Sequence, residues 1–138
     1  MFITIEELKT VAYEYQIIDI VEEDETIVEI AIDAAIEEIK SYLAARYDTI
    51  NVFNKQGNER NRLIVELTKD IALWQIIRLS NPDILFERVK DRYDRAIDYL
   101  NRVAKGLLSP TLPLLTDSTG EETTPLKFGS MPKQQYDY

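Results

Sequence analysis

Between positions 25 and 46 the apolar residues Val28, Ala31, Ile32, Ala35, Ile36, Ile39, Tyr42 and Leu43 recur at spacings of three and four. That period places side chains on one face of an α-helix. Ile27, Ile30 and Ala34 widen the face beyond what packing on one neighbour needs, so this helix is expected at the centre of the fold or at an interface. The period returns over 59–79, where Leu63, Ile64, Leu67, Ile71, Trp74 and Arg78 line one side with Ile76 and Ile77 beside them. It returns again over 82–105, with Leu85, Phe86, Val89, Tyr93, Ala96, Ile97, Leu100, Val103 and Ala104 on the buried side.

Local signals punctuate these stretches. Thr4-Ile5-Glu6-Glu7 has the form of a capping box, which predicts a short first helix over 5–15. Glu22, Glu23, Asp24 and Glu25 precede the 25–46 helix, where negative charge is favoured by the helix dipole. Residues 47–58 are rich in Asn, Asp and Thr and contain Gly57, the composition of a loop, within which Ile50, Val52 and Phe53 suit a short extended piece. Ser80-Asn81-Pro82-Asp83 ends one helix and starts the next, with Asn81 as cap and Pro82 at the first helical position. Gly106 suits a left-handed turn closing the last helix. Beyond it the period stops, and four of the five prolines fall within 107–138. The expected fold is all-α: a bundle of about four helices over 1–106 and an extended C-terminal arm over 107–138. Trp74, Ile71, Leu67, Ile39, Leu43, Val89, Tyr93 and Leu100 are expected to face one another in the core.

Composition narrows the chemistry. A chain of 138 residues is one domain by length, and 45% hydrophobic with 30% charged residues is an ordinary folded mixture. No apolar run approaches the roughly 18 to 20 residues of a membrane helix, and the opening residues lack a signal peptide's features, which predicts a cytoplasmic origin. With neither cysteine nor histidine, thiolate sites, the commonest zinc ligand and the commonest general base are all missing. The net charge of −9 is unevenly spread. Residues 1–48 carry 13 acids against 3 bases, residues 49–106 carry 8 against 11, and residues 107–138 carry 4 against 2. Such polarity bears on partners, either as a solvated acidic helix pair or as complementarity between neighbouring copies.

Candidate motifs fail one by one. A di-iron bundle needs Glu-x-x-His pairs, and there is no histidine. Ser130-Met131-Pro132-Lys133 spells a Ser-x-x-Lys pattern, but a proline interrupts the helix that would align serine with lysine. No phosphate-binding glycine loop occurs. Arg88, Lys90, Arg92, Arg95 and Arg102 crowd the last helix, yet Asp91, Asp94 and Asp98 alternate with them, so the face is mixed and no DNA-reading stripe forms. The chain is therefore expected to be non-enzymatic, with no catalytic, cofactor-binding or metal-binding residues.

The order of features resembles the head-tail connector (neck, or head-completion) proteins of tailed bacteriophages, in particular the Mu-type subgroup. The resemblance lies in Ile3-Thr4-Ile5-Glu6-Glu7-Leu8, in Tyr42-Leu43-Ala44-Ala45-Arg46-Tyr47, in Leu67-Thr68-Lys69-Asp70-Ile71-Ala72, and in Tyr93, Ala96, Leu100, Val103, Ala104 and Gly106. It extends over residues 3–115; the Pro-rich segment that the family carries after Tyr47 is missing. It implies a structural virion protein, made in the host cytoplasm, that forms a ring of about twelve copies between the portal and the tail or next neck component. DNA would pass through such a ring without sequence-specific binding.

On this reading the charged residues Glu22, Glu23, Asp24, Glu25, Arg88, Arg92 and Arg95 are candidates for contacts between copies. Leu112, Leu114, Leu115, Phe128, Tyr136 and Tyr138 are candidates for docking on a partner through the arm, ordered only when bound. The competing readings are a non-phage helical adaptor that binds its partner through the tail, and a small enzyme or regulator.

Overall fold

A computed structural model describes residues 2–11, 18–19, 22–80 and 87–116. Its helices are α1 (Ile5–Lys9), α2 (Glu25–Leu43), α3 (Thr49–Phe53), α4 (Arg62–Ser80) and α5 (Glu87–Ala104), with a 3-10 turn at Gly57–Glu59 before α4. The fold is all-α. An isolated antiparallel bridge pairs Tyr47 with Leu114.

The capping box at Thr4 forms as the sequence predicts. The Glu7 amide donates to Thr4 Oγ1 at 3.1 Å and the Thr4 amide to Glu7 Oε1 at 3.0 Å. Ile3 and Leu8 stand at the two positions of a hydrophobic staple, and both are fully buried. The helix stops at Lys9, earlier than expected; the rest of the predicted 5–15 helix lies outside the described residues apart from Thr10, its C-cap, and Val11.

Asp24 caps α2 by accepting from the Ile27 amide at 3.2 Å. Val28, Ala31, Ile32, Ala35, Ile39 and Leu43 form its buried stripe. The most enclosed helix, however, is α4. Ile64, Val65, Leu67, Ile71, Ala72, Leu73, Ile76 and Ile77 are buried on several sides because α1, α2 and α5 all pack on it. The extra apolar residues of α2 thus do not mark the centre of the fold; Ile30 is 50% exposed. Two polar residues follow α4 inward. Thr68 returns its hydroxyl to the Ile64 carbonyl at 2.7 Å, and Lys69 carries its ammonium out to Glu66 and Thr10.

Three expectations change. The segment 47–58 is not an open loop with an extended piece: Asp48 accepts from the Asn51 amide at 3.2 Å and starts α3, which buries Val52 and sets Phe53 edge-on to Phe2 at 4.8 Å. Leu63 is 39% exposed, and Trp74 lies partly buried at the margin of the core. The break at Asn81 and Pro82, with Leu85 and Phe86, lies outside the described residues.

Gly106 closes α5 with φ 80°. Its amide bonds to the Val103 carbonyl at 3.0 Å and that of Leu107 to the Arg102 carbonyl at 2.8 Å, the paired bonds of a Schellman motif. The chain then runs back across the body as a strap. The Asp48 amide donates to the Pro113 carbonyl at 2.8 Å, the Leu115 amide to the Arg46 carbonyl at 3.1 Å, and Asn61 Nδ2 to the Thr111 carbonyl at 3.0 Å. Leu108, Leu112 and Leu114 rest on the core. The described part of the expected arm is thus extended, as its prolines require, and laid on the helices.

Candidate functional site

The strap fixes how the bundle is oriented. The end of α2 (Arg46, Tyr47), the start of α4 (Asn61) and the residues after α5 (Thr111 to Leu115) bond to one another, so these three helix termini share one end of the molecule. The start of α2, the end of α4 and the start of α5 share the other. Midway, Glu38 of α2 accepts from Tyr93 Oη at 2.9 Å and from Gln75 Nε2 at 3.4 Å, tying the three helices together. Burial first, then Glu38, pushes the Tyr93 hydroxyl up to about 12, so it stays a hydrogen-bond donor at any physiological pH.

This antiparallel arrangement turns a charge asymmetry along the sequence into one along the bundle. Residues 22–33 carry six carboxylates and no base, all at the end where α2 starts. Glu23, Glu25, Glu29 and Asp33 are exposed there. At the strap end Lys55, Arg62 and Lys105 are exposed, and none of them has an ion pair among the described residues. The Nε and Nη1 atoms of Arg46 are covered from solvent and have no hydrogen-bond partner. Exposed apolar residues occur at both ends: Ile50 at 75% and Leu107 at 69% beside the strap, Ile30 at 50% and Leu79 at 48% opposite.

The predicted contact residues divide. Glu22 pairs with Lys9 at 3.3 Å, and Asp24 is occupied as the α2 cap. Arg92 pairs with Asp70 at 2.8 Å and donates to the Val11 carbonyl at 3.2 Å, so it serves the inside of the fold. Glu23, Glu25, Arg88 and Arg95 are exposed. Arg88 stands at the same end as the acids it was expected to meet in a neighbour. Of the docking candidates, Leu112 and Leu114 pack on the chain's own core and Leu115 is partly buried. Phe128, Tyr136 and Tyr138 lie outside the described residues. Sequence reasoning did not single out Arg46, Lys55, Arg62 and Lys105; a signal was available for Arg46 and Lys105, which have no acid three or four residues away with which to pair along a helix, whereas Lys55 has Glu59 and Arg62 has Glu59 and Glu66.

Other ionisable groups hold the fold. Arg60 bonds both carboxylate oxygens of Glu7 and the Phe2 carbonyl, and the Arg60 hydrogen bond holds the Glu7 carboxyl down at about 2. Burial raises Asp70, opposed by Arg92. A recess of about 170 Å³ between α3 and the strap, lined among others by Asn51, Lys55, Asn61 and Thr111, is below the roughly 300 Å³ of a usual small-molecule pocket. Among the described residues no group of three or more carboxylates is placed to hold a metal, and no helix is long and apolar enough to cross a membrane.

Fold and surface together define a small all-α protein whose distinctive features are two unlike ends. The family described as Bacteriophage Mu, Gp36 matches residues 2–127, and the chain belongs to that family. It is accordingly a Mu-type phage protein of the structural, virion-related kind, which sets aside the non-phage adaptor reading. No curated protein and no solved structure matches the chain.

Proposed function

We propose that the chain is a head-tail connector subunit that works without catalysis, assembling as a ring between the portal and the next tail or neck component. The observation that carries this reading is the separation of charge along the bundle. A ring is built from heterologous contacts, in which one patch meets a different patch on the next copy, and a molecule with unlike ends supplies both. Family membership supports the virion setting. The residues quoted for the resemblance act mostly as fold determinants: Asp70 pairs with Arg92, Tyr93 holds Glu38, and Ala96, Leu100 and Val103 are buried. Arg46 is the exception, with nitrogens still unmatched.

The segment 117–138 supplies the docking arm in this proposal, since its Phe128, Tyr136 and Tyr138 suit apolar pockets on a partner. The test is to locate the chain in purified virions, by cryo-electron microscopy with a labelled or tagged copy. Density at the junction of head and tail, in several symmetric copies, is the expected result. Labelling of the capsid shell or tail tip instead would overturn the reading.

A further inference from the structure

We infer that the strap end of one copy receives the acidic start of α2 of a second copy. The inference rests on the connector reading and names the residues of its subunit contact. These differ from the basic residues Arg88, Arg92 and Arg95 that the sequence singles out.

Three observations converge on this pairing. The first is charge: Glu23, Glu25, Glu29 and Asp33 stand exposed at one end, and Lys55, Arg62 and Lys105 at the other, without ion pairs among the described residues. Opposed patches of this kind steer association and fix its register. The second is apolar surface. Ile30 and Leu79 are half exposed at the end where α2 starts, while Ile50 and Leu107, the most exposed large apolar residues among those described, lie at the strap end. A stable contact wants an apolar centre inside a polar rim, and each end has the elements of one.

The third is Arg46. Its Nε and Nη1 are covered by the chain itself and have no acceptor there, while the residue as a whole is only partly buried, so its guanidinium adds uncompensated positive charge to the strap end. The neighbouring acid within the chain, Asp48, is already engaged as the α3 cap. The exposed glutamates at the α2 start of a second copy, Glu23, Glu25 and Glu29, are free to face that charge. Because every copy carries one end of each kind, the contact propagates from copy to copy and closes wherever the rotation allows.

The test uses the full chain and two charge-reversed variants, Glu25→Lys with Glu29→Lys, and Lys55→Glu with Arg62→Glu. All four positions are exposed, and circular dichroism checks that both variants fold. Sedimentation velocity is expected to show the wild-type chain self-associating and each variant alone weakened about tenfold or more, because like charges now face one another. An equimolar mixture of the two variants is expected to associate again, since both of its contacts are complementary. Wild-type association in either variant alone, no recovery in the mixture, or a wild-type chain that remains monomeric would each overturn the inference. Density for the chain at the head-tail junction alongside any of those results would leave the connector reading standing and remove only this contact.

Discussion

Arg60 grips Glu7 across 53 residues of sequence, with both carboxylate oxygens taken by the guanidinium and the Phe2 carbonyl held by the same group. One side chain thereby ties the N-terminal segment to the turn before α4. The Glu7 carboxyl is held at about 2, below its ordinary 4.5, chiefly by the Arg60 hydrogen bond. A depressed carboxylate contributes stability that is present above the unfolded value and lost as pH falls through the folded one. Stability against urea should therefore decline between about pH 4.5 and pH 2 by more in the wild type than in Glu7→Gln. At neutral pH that variant should be less stable by about 1 to 3 kcal/mol, the range for a hydrogen bond to a charged group. An identical acid decline in both proteins would show that the pair is not the source.

Trp74 is expected to behave as a margin residue. It lies 5.7 Å from the Tyr93 ring and under the Lys90 ammonium at 5.6 Å, yet it is only partly buried. Trp74→Ala should cost about 1 to 3 kcal/mol in chemical denaturation, below the 3 to 5 kcal/mol of a fully buried aromatic.

Gly106 holds a left-handed conformation that ends α5 and turns the chain into the strap. Gly106→Ala should lower stability by about 1 kcal/mol, the penalty for a Cβ at positive φ, measured by the shift in denaturation midpoint. Loss of several times that amount would mean that the strap had detached as well.

Two truncations separate strap from arm. Removal of residues 117–138 should leave the melting temperature within a few degrees of wild type, while the shortened chain fails to enter particles. Removal from Ser109 onward also takes away Leu112, Leu114 and the bonds to Arg46, Asp48 and Asn61, and should cost about 2 to 4 kcal/mol. Normal incorporation of the shorter deletion would make the arm dispensable.

What the sequence discloses follows the range of the interactions. The Thr4 capping box, the Gly106 turn and the helical periods of α2, α4 and α5 depend on residues within a few positions of each other and are legible, although Leu63 and Ala104, expected on buried faces, are exposed and Trp74 lies at the margin. α3 escaped because five residues are too few for a period, and its Asp and Asn have the composition of a loop even though Asp48 is using that chemistry to cap a helix. The strap escaped for a related reason. Pro110 and Pro113 suggest a chain leaving the body, but a proline lacks only the amide, and Pro113 joins the bridge through its carbonyl. Of the candidate surface, the acidic α2 start was legible as a run of like charges. The basic end was not, because Arg46, Lys55, Arg62 and Lys105 come from three segments that only the antiparallel packing brings to one place.

The most direct measurement of the connector account is the outcome of phage assembly when this chain is withheld and then supplied in trans. The account predicts that heads fill with DNA but carry no tails when the chain is absent, and that tailed infectious particles return when it is supplied. Tailed, infectious particles assembled without the chain would contradict it.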